Sequence, residues 1–397
     1  MTALSAGVLP TAEAAAGTAP RGSANIRHLA RTELDGTGQI VVQGRHAFVG
    51  FQKGPGGTSI LDIADPRDPR VIAEIAPLPG SHSHKVRVVG DIMICNAERH
   101  PGLGVREPFT TPGFRIFDIK DKAHPRLISM VMTAGKGVHR FDMDENYAYI
   151  STEMDGYVGN ILVIYDIRDP VRPREAGRWW VHGQHVAGGE PASPLKTRQR
   201  LHHGMRCGDQ IYMGYWHRGV AIADLSDVTR PKTLGQQHIE SATEPMHTFM
   251  KVPHAVGGRA IAVSTDEERV HRGEDAAKPH ASFRTWDVTD PAQPTVLAEF
   301  HVPESASPYR GPTVRFGTHQ LREIVDRDNL CYVTWFAAGL RIIDIGDPGQ
   351  PKERGYFIPK PGEGYPHPFT NDVAKDDRGL LFVTDKGRGL DVIEFTG

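Results

Sequence analysis

Apolar and polar residues alternate along most of this chain in short runs of strand length, such as YAYIST (residues 147–152) and TVLAEF (residues 295–300), separated by clusters rich in Gly, Pro, Asn and Asp. Such alternation predicts half-buried β-strands, and no long stretch carries the helical period. A fixed turn follows one strand of each group: Asp, an apolar residue, any residue, Asp, three residues and Pro. It reads LDIADPRDP (61–69), FDIKDKAHP (117–125), YDIRDPVRP (165–173), ADLSDVTRP (223–231), WDVTDPAQP (286–294) and IDIGDPGQP (343–351). The leading aspartates, Asp62, Asp118, Asp166, Asp224, Asp287 and Asp344, recur every 48 to 63 residues. A strand-and-turn repeat of that period predicts an all-β fold, a β-propeller with one four-stranded blade per repeat.

The Asp residues are assigned to turn chemistry. A short carboxylate accepts nearby backbone N–H groups and Pro fixes φ, so these positions are structural. A seventh repeat, TNDVAK, LLFVTD and GLDVIEF, lacks its fourth strand, and residues 26–34 (IRHLARTEL) match that strand in pattern. The expected architecture is therefore a seven-bladed β-propeller closed by the N-terminal strand, one domain over residues 25–397 behind a disordered tail at 1–24. Closure removes the open sheet edge. The strand cores ILVIYDI, LRIIDI and LDVIEF resemble the LVIVD-repeat family of propellers. That resemblance implies the fold and carries no catalytic motif with it.

Composition narrows the setting. A net charge of -2 over 397 residues, without a long basic run, gives no reason to expect a nucleic-acid partner. No stretch reaches the length of a membrane span. Cys95, Cys207 and Cys331 are far apart in apolar segments, which reads as reduced core thiols in a cytoplasmic protein. Oligomeric state is not encoded in any pattern found.

Alignment of the repeats places a histidine at the start of the first strand in five successive blades: His84, His139, His203, His247 and His319. Asn371 occupies the position in the seventh blade and Gln39 in the first; His82 and His202 lie close enough to replace their neighbours. First strands line the channel of a propeller, so five imidazoles would converge on its axis. Singly, a channel histidine is best read as a polar residue binding water. Five in register point to a divalent metal ion, with Fe(II) preferred and Zn or Mn as alternatives, since no thiolate completes a closed structural site.

Long loops at 98–113, 153–160, 181–201, 267–280 and 301–318 belong to the same mouth, where a small-molecule organic substrate would bind. Glu153 and Glu98, at the ends of second strands, are the candidate catalytic carboxylates; an ordinary solvated loop carboxylate is the competing reading. Tyr215 and Trp335, with Trp216 and Phe336, are candidates for an aromatic wall to the substrate site, or else ordinary inter-blade packing. Arg388 and Asn371 complete the candidate substrate contacts, and Arg99, Arg106 and Lys386 add positive charge. Three functions compete: an Fe(II) oxygenase, similar in architecture to the carotenoid and stilbene cleavage oxygenases; a non-redox Zn or Mn lyase or hydrolase; and a protein-interaction scaffold, which has no need of in-register channel histidines.

Overall fold

The computed structural model describes residues 19–53, 56–99, 108–239, 244–269, 279–311 and 313–397. Apart from short 3₁₀ turns at Val186–Gly188, Lys196–Arg198 and Glu304–Ala306, the regular structure described is all β. Antiparallel strands follow one another in groups of four. Thr37–Gln43, His46–Phe51, Thr58–Asp62 and Arg70–Ile75 form one group. Val86–Val89, Ile92–Arg99, Gly113–Asp118 and Arg126–Met132 form the next, and Glu98 links it to Gly137 in Ala134–Met143. That strand leads the group completed by Tyr147–Glu153, Ile161–Asp166 and Arg174–Trp179. His203–Cys207, Met246–Val256 and Thr318–Leu321 begin three further groups of the same kind.

Thr370–Lys375, Leu380–Asp385 and Arg388–Phe395 acquire their fourth strand from the start of the chain. Ile26–Asp35 runs antiparallel to Arg388–Phe395, with Ile26 opposite Phe395 and Thr32 opposite Leu390. Residues 21 and 22, expected in the tail, instead pair with Ile358 and Phe357 as a short edge strand. The rest of that tail, residues 1–18, lies outside the described residues, as do parts of the loops at 98–113 and 267–280.

The repeated turn behaves as its chemistry predicts. Each leading aspartate accepts the backbone N–H two residues on, from Ala64 to Asp62 at 2.8 Å through Gly346 to Asp344 at 2.8 Å. The second aspartate of the motif repeats the bond where it is present, as Arg67 to Asp65 at 2.9 Å and Gly349 to Asp347 at 3.0 Å. Between groups, strand faces meet in apolar layers; Tyr149, Leu162 and Ile164 pack with Ile211, Met213 and Ala221 of the following group. All three cysteines are unpaired, Cys95 and Cys331 in the core and Cys207 half-buried. Among the described residues no helix is long and apolar enough to cross a membrane.

Candidate metal centre

One residue from the start of each four-stranded group faces a common cavity of about 40 Å³. These are Gly38, His84, His139, His202, His247, His319 and Asn371; Gln52, Lys85, Glu267 and Lys386 complete its wall. Neighbouring imidazole centroids are separated by 5.4 Å (His84–His139), 4.7 Å (His139–His202), 4.0 Å (His202–His247) and 4.4 Å (His247–His319). The sequence alignment was thus off by one in two repeats, where Gly38 and His202 stand in place of Gln39 and His203. The residues one step further along the chain form a second polar layer, Gln39, Lys85, Arg140, His203, Thr248, Gln320 and Asp372, all buried. His203 belongs there: Arg140 Nε donates to its Nδ1 at 3.1 Å. His202 precedes the strand that His203 opens, so the two side chains part to different layers.

Hydrogen bonds fix the proton of four of these imidazoles. Nδ1 donates to Glu98 Oε1 in His139 (2.8 Å), to the His247 carbonyl in His202 (2.8 Å) and to the Asn371 carbonyl in His319 (2.6 Å). In His247 it donates to Thr248 Oγ1 (3.0 Å), whose own proton goes to Gln320 Oε1. With Nδ1 protonated, the neutral ring carries its lone pair on Nε2. Two such atoms, Nε2 of His139 and of His202, lie 2.9 Å apart. Facing lone pairs at that distance require a cation or a proton between them. His84 is oppositely set, because Asn96 Nδ2 donates to its Nδ1 at 3.2 Å.

Glu98 accepts from His82 as well as His139, at 3.1 Å and 2.8 Å. Burial pushes its carboxyl pKa up, but the two imidazoles outweigh this and hold it well below the usual carboxylate range. Burial drives His84, His202, His247 and His319 well below an ordinary imidazole, and neighbouring histidines or cations add to it. A buried cluster of neutral imidazoles oriented by carbonyls and a carboxylate is the arrangement in which histidine binds metal. Side-chain atoms of His202, His247 and Glu267 lie within 4.8 Å of one another, as do those of His82, His84 and Glu98. Both carboxylates are engaged, Glu98 by His82 and His139 and Glu267 by Arg315, but only the first set joins two imidazoles whose Nδ1 protons are committed elsewhere.

The remaining sequence candidates separate by strand face. Glu153 is not among the residues lining the cavity, and its carboxylate accepts the backbone N–H of Lys136 at 2.9 Å. Tyr215 and Trp335 are core residues. The Tyr215 hydroxyl donates to Gln184, and the Trp335 ring stands edge-on to Phe300 with centroids 6.1 Å apart. The next residues in the chain turn the other way: Trp216 stacks on His202 (5.1 Å) and Phe336 lies against His319 (4.8 Å). Trp216 does so with a φ of 44°, a left-handed backbone that few non-glycine residues adopt. Asn371 lines the cavity and its Nδ2 donates to the Gly38 carbonyl at 2.6 Å. Arg388 begins the strand opposite Asp35; its side chain lies outside the described residues. Lys85 and the Arg140 layer were not among the predicted site residues, although their positions one step from the register carry the signal; Glu267, a strand-end carboxylate in the sequence, does line the cavity.

The LVIVD repeat family matches residues 141–180 and 323–357. No curated protein matches the sequence. Among solved structures, the computationally designed Ika8 protein is similar at 10% identity and a TM-score of 0.53, covering 92% of this chain and 98% of that one. The N-terminal domain of Nup159 is similar at 10% identity and a TM-score of 0.52, covering 93% and 95%. Likeness at such identity speaks to fold alone. The chain is thus an all-β, propeller-like protein that carries LVIVD repeats.

Proposed function

We propose that the four-stranded groups form a seven-bladed ring closed by Ile26–Asp35, and that the chain is a metal-dependent enzyme with its ion on the ring axis. One observation carries the reading: His139, His202, His247 and His319 each have Nδ1 committed to an acceptor, which leaves four Nε2 lone pairs for one small cavity. Those four nitrogens, with Glu267 beside them, are the ligand set. Glu98 orients His139, and the Asn371 and His247 carbonyls orient His319 and His202. Loss of such an outer partner typically costs about 10–100-fold in metal affinity or activity.

An imidazole-rich site suits Fe(II), and Zn or Mn as well. Iron with a free position supplies dioxygen chemistry beside a bound organic substrate, and this oxygenase reading is preferred. The non-redox lyase or hydrolase is the second reading, with Glu267 as the carboxylate within reach of the ion. An interaction scaffold, a common use of propellers, does not account for the committed imidazole protons. The unpaired cysteines suit a reducing compartment such as the cytoplasm.

Elemental analysis of anaerobically purified protein should give one equivalent of metal, and activity on candidate organic substrates should consume dioxygen. Turnover that persists without air, or that zinc restores in full, selects the lyase. A chain that neither retains metal nor takes up iron, zinc or manganese overturns the metal reading altogether.

A further inference from the structure

We infer that the substrate of this site is a small organic carboxylate, anchored by Arg200 and Lys386 beside the imidazole cluster. This rests on the reading of that cluster as the reaction centre. The charges around the cavity decide the sign of its ligand. Its two nearest carboxylates are both engaged: Glu98 by His139 and His82, and Glu267 by Arg315 Nη2 at 2.6 Å. Lys85 and Lys386 line the cavity itself, and among the described residues neither has a carboxylate within ion-pair distance. Arg200, two residues before His202, also lacks one, and its Nε is buried with no hydrogen-bond partner. A guanidinium Nε–H kept from water without a hydrogen-bond partner is an unfavourable arrangement that an anionic ligand relieves.

The geometry of Arg200 fits a carboxylate in particular. Its guanidinium carbon lies 4.6 Å from the centroid of the Trp216 ring, which in turn stacks on His202. A guanidinium packed against an aromatic face keeps its in-plane edge for hydrogen bonding. The Nε–Nη edge takes a planar carboxylate through two parallel N–H···O bonds. Lys386 stands 5.5 Å from the Phe336 ring, and Phe336 packs on His319. Two histidines of the cluster are thus each backed by an aromatic ring that carries a cation. A carboxylate held there places the rest of a small molecule over the imidazoles. The fixed Arg200 charge also disfavours cationic substrates, and a bound divalent ion would strengthen that preference.

The test uses the metal-loaded full chain, with metal content measured first so that loss of the ion is seen separately. Acetate and benzoate are titrated calorimetrically against their neutral amides, acetamide and benzamide, with inorganic phosphate as a further probe. Each carboxylate should bind at least about tenfold more tightly than its amide, the discrimination expected of charge-assisted bonds. Arg200→Met should reduce that ratio to below about threefold while metal content stays unchanged, since discrimination of this kind depends on the pair rather than the scaffold. Lys386→Met gives an independent reading should Arg200→Met fail to fold, with the same expected loss. Equal binding of acid and amide, no binding of either acid, a ratio that survives both substitutions, or phosphate binding tighter than both acids would each overturn the inference while leaving the metal reading intact.

Discussion

Beneath the imidazoles, Glu323 serves both the buried Arg140 and the half-buried Arg87. Its oxygens take Arg140 Nη2 at 2.7 Å and Arg87 Nη2 in a shorter ion pair, with Gln320 Nε2 donating at 3.0 Å. The Arg140 side chain is 0% exposed, whereas Arg87 has a second carboxylate, Asp142, at 3.5 Å. Glu323→Gln keeps the shape and deletes the charge, so Arg140 becomes a buried guanidinium without an anion. Breaking one side of such a pair costs about 3–5 kcal/mol. For a chain of this length that is a fall in Tm of about 4–6 °C. Urea unfolding at pH 7.5, followed by tryptophan fluorescence, measures it. The double variant Glu323→Gln/Arg140→Met removes the stranded charge and should be more stable than Glu323→Gln alone. Burial pushes the Glu323 carboxyl up, but Arg87, His203 and Arg140 outweigh it and hold it below its ordinary 4.5. Its stabilisation is therefore present above pH 4.5 and lost as pH falls, so the gap between wild type and Glu323→Gln should narrow in acid. A Glu323→Gln protein within about 0.5 kcal/mol of wild type, the range of an ordinary surface change, would refute the reasoning.

Further expectations concern the upper layer. His202→Ala should abolish stoichiometric metal binding, while His203→Ala should retain the ion and lose stability; elemental analysis beside thermal melting separates the two. In metal-free protein, burial lowers the pKa of His84, His202, His203, His247 and His319 below 6.5, so the unfolded chain takes up protons first and stability falls as pH drops below 6.5. Each histidine contributes up to about 1.4 kcal/mol per pH unit. Asp372, raised to about 7 by burial, gives one offset of opposite sign. A urea midpoint unchanged between pH 7.5 and 5.5 would count against the neutral cluster. Glu153→Gln should leave metal content and turnover near wild type, because the amide oxygen can still accept from Lys136; a large loss of turnover would return Glu153 to the site. Gly50→Ala should lower stability, since a Cβ there would sit 2.6 Å from the His84 carbonyl carbon; an unaltered melting temperature would show that the strand yields.

What the sequence disclosed depends on how local the governing physics is. The Asp turns were legible because their bonds join residues two apart. The pairing of Ile26–Asp35 was legible because a missing strand and a spare one matched in pattern. The histidine positions were legible only to within one residue, since adjacent side chains at a strand start part to different layers and a repeat alignment with variable loops cannot fix that parity. The same parity misassigned Tyr215 and Trp335, whose neighbours Trp216 and Phe336 back the imidazoles. Glu323 was hidden because its partners Arg87 and Arg140 lie far off in sequence. Glu98 was visible as a strand end, but its grip on His139 depends on the contact between two groups at Gly137.

The pairing of the first long strand with the last has a consequence for how the chain is made. His28 and Asp391, which hydrogen-bond across that pairing, are 363 positions apart. At ordinary elongation rates Ile26–Asp35 leaves the ribosome on the order of 20–70 s before its partner exists. Throughout synthesis the first-made strand therefore has no mate, and the nascent sheets present an open edge at each end. A chain cut short anywhere before Arg388–Phe395 leaves Ile26–Asp35 without its partner.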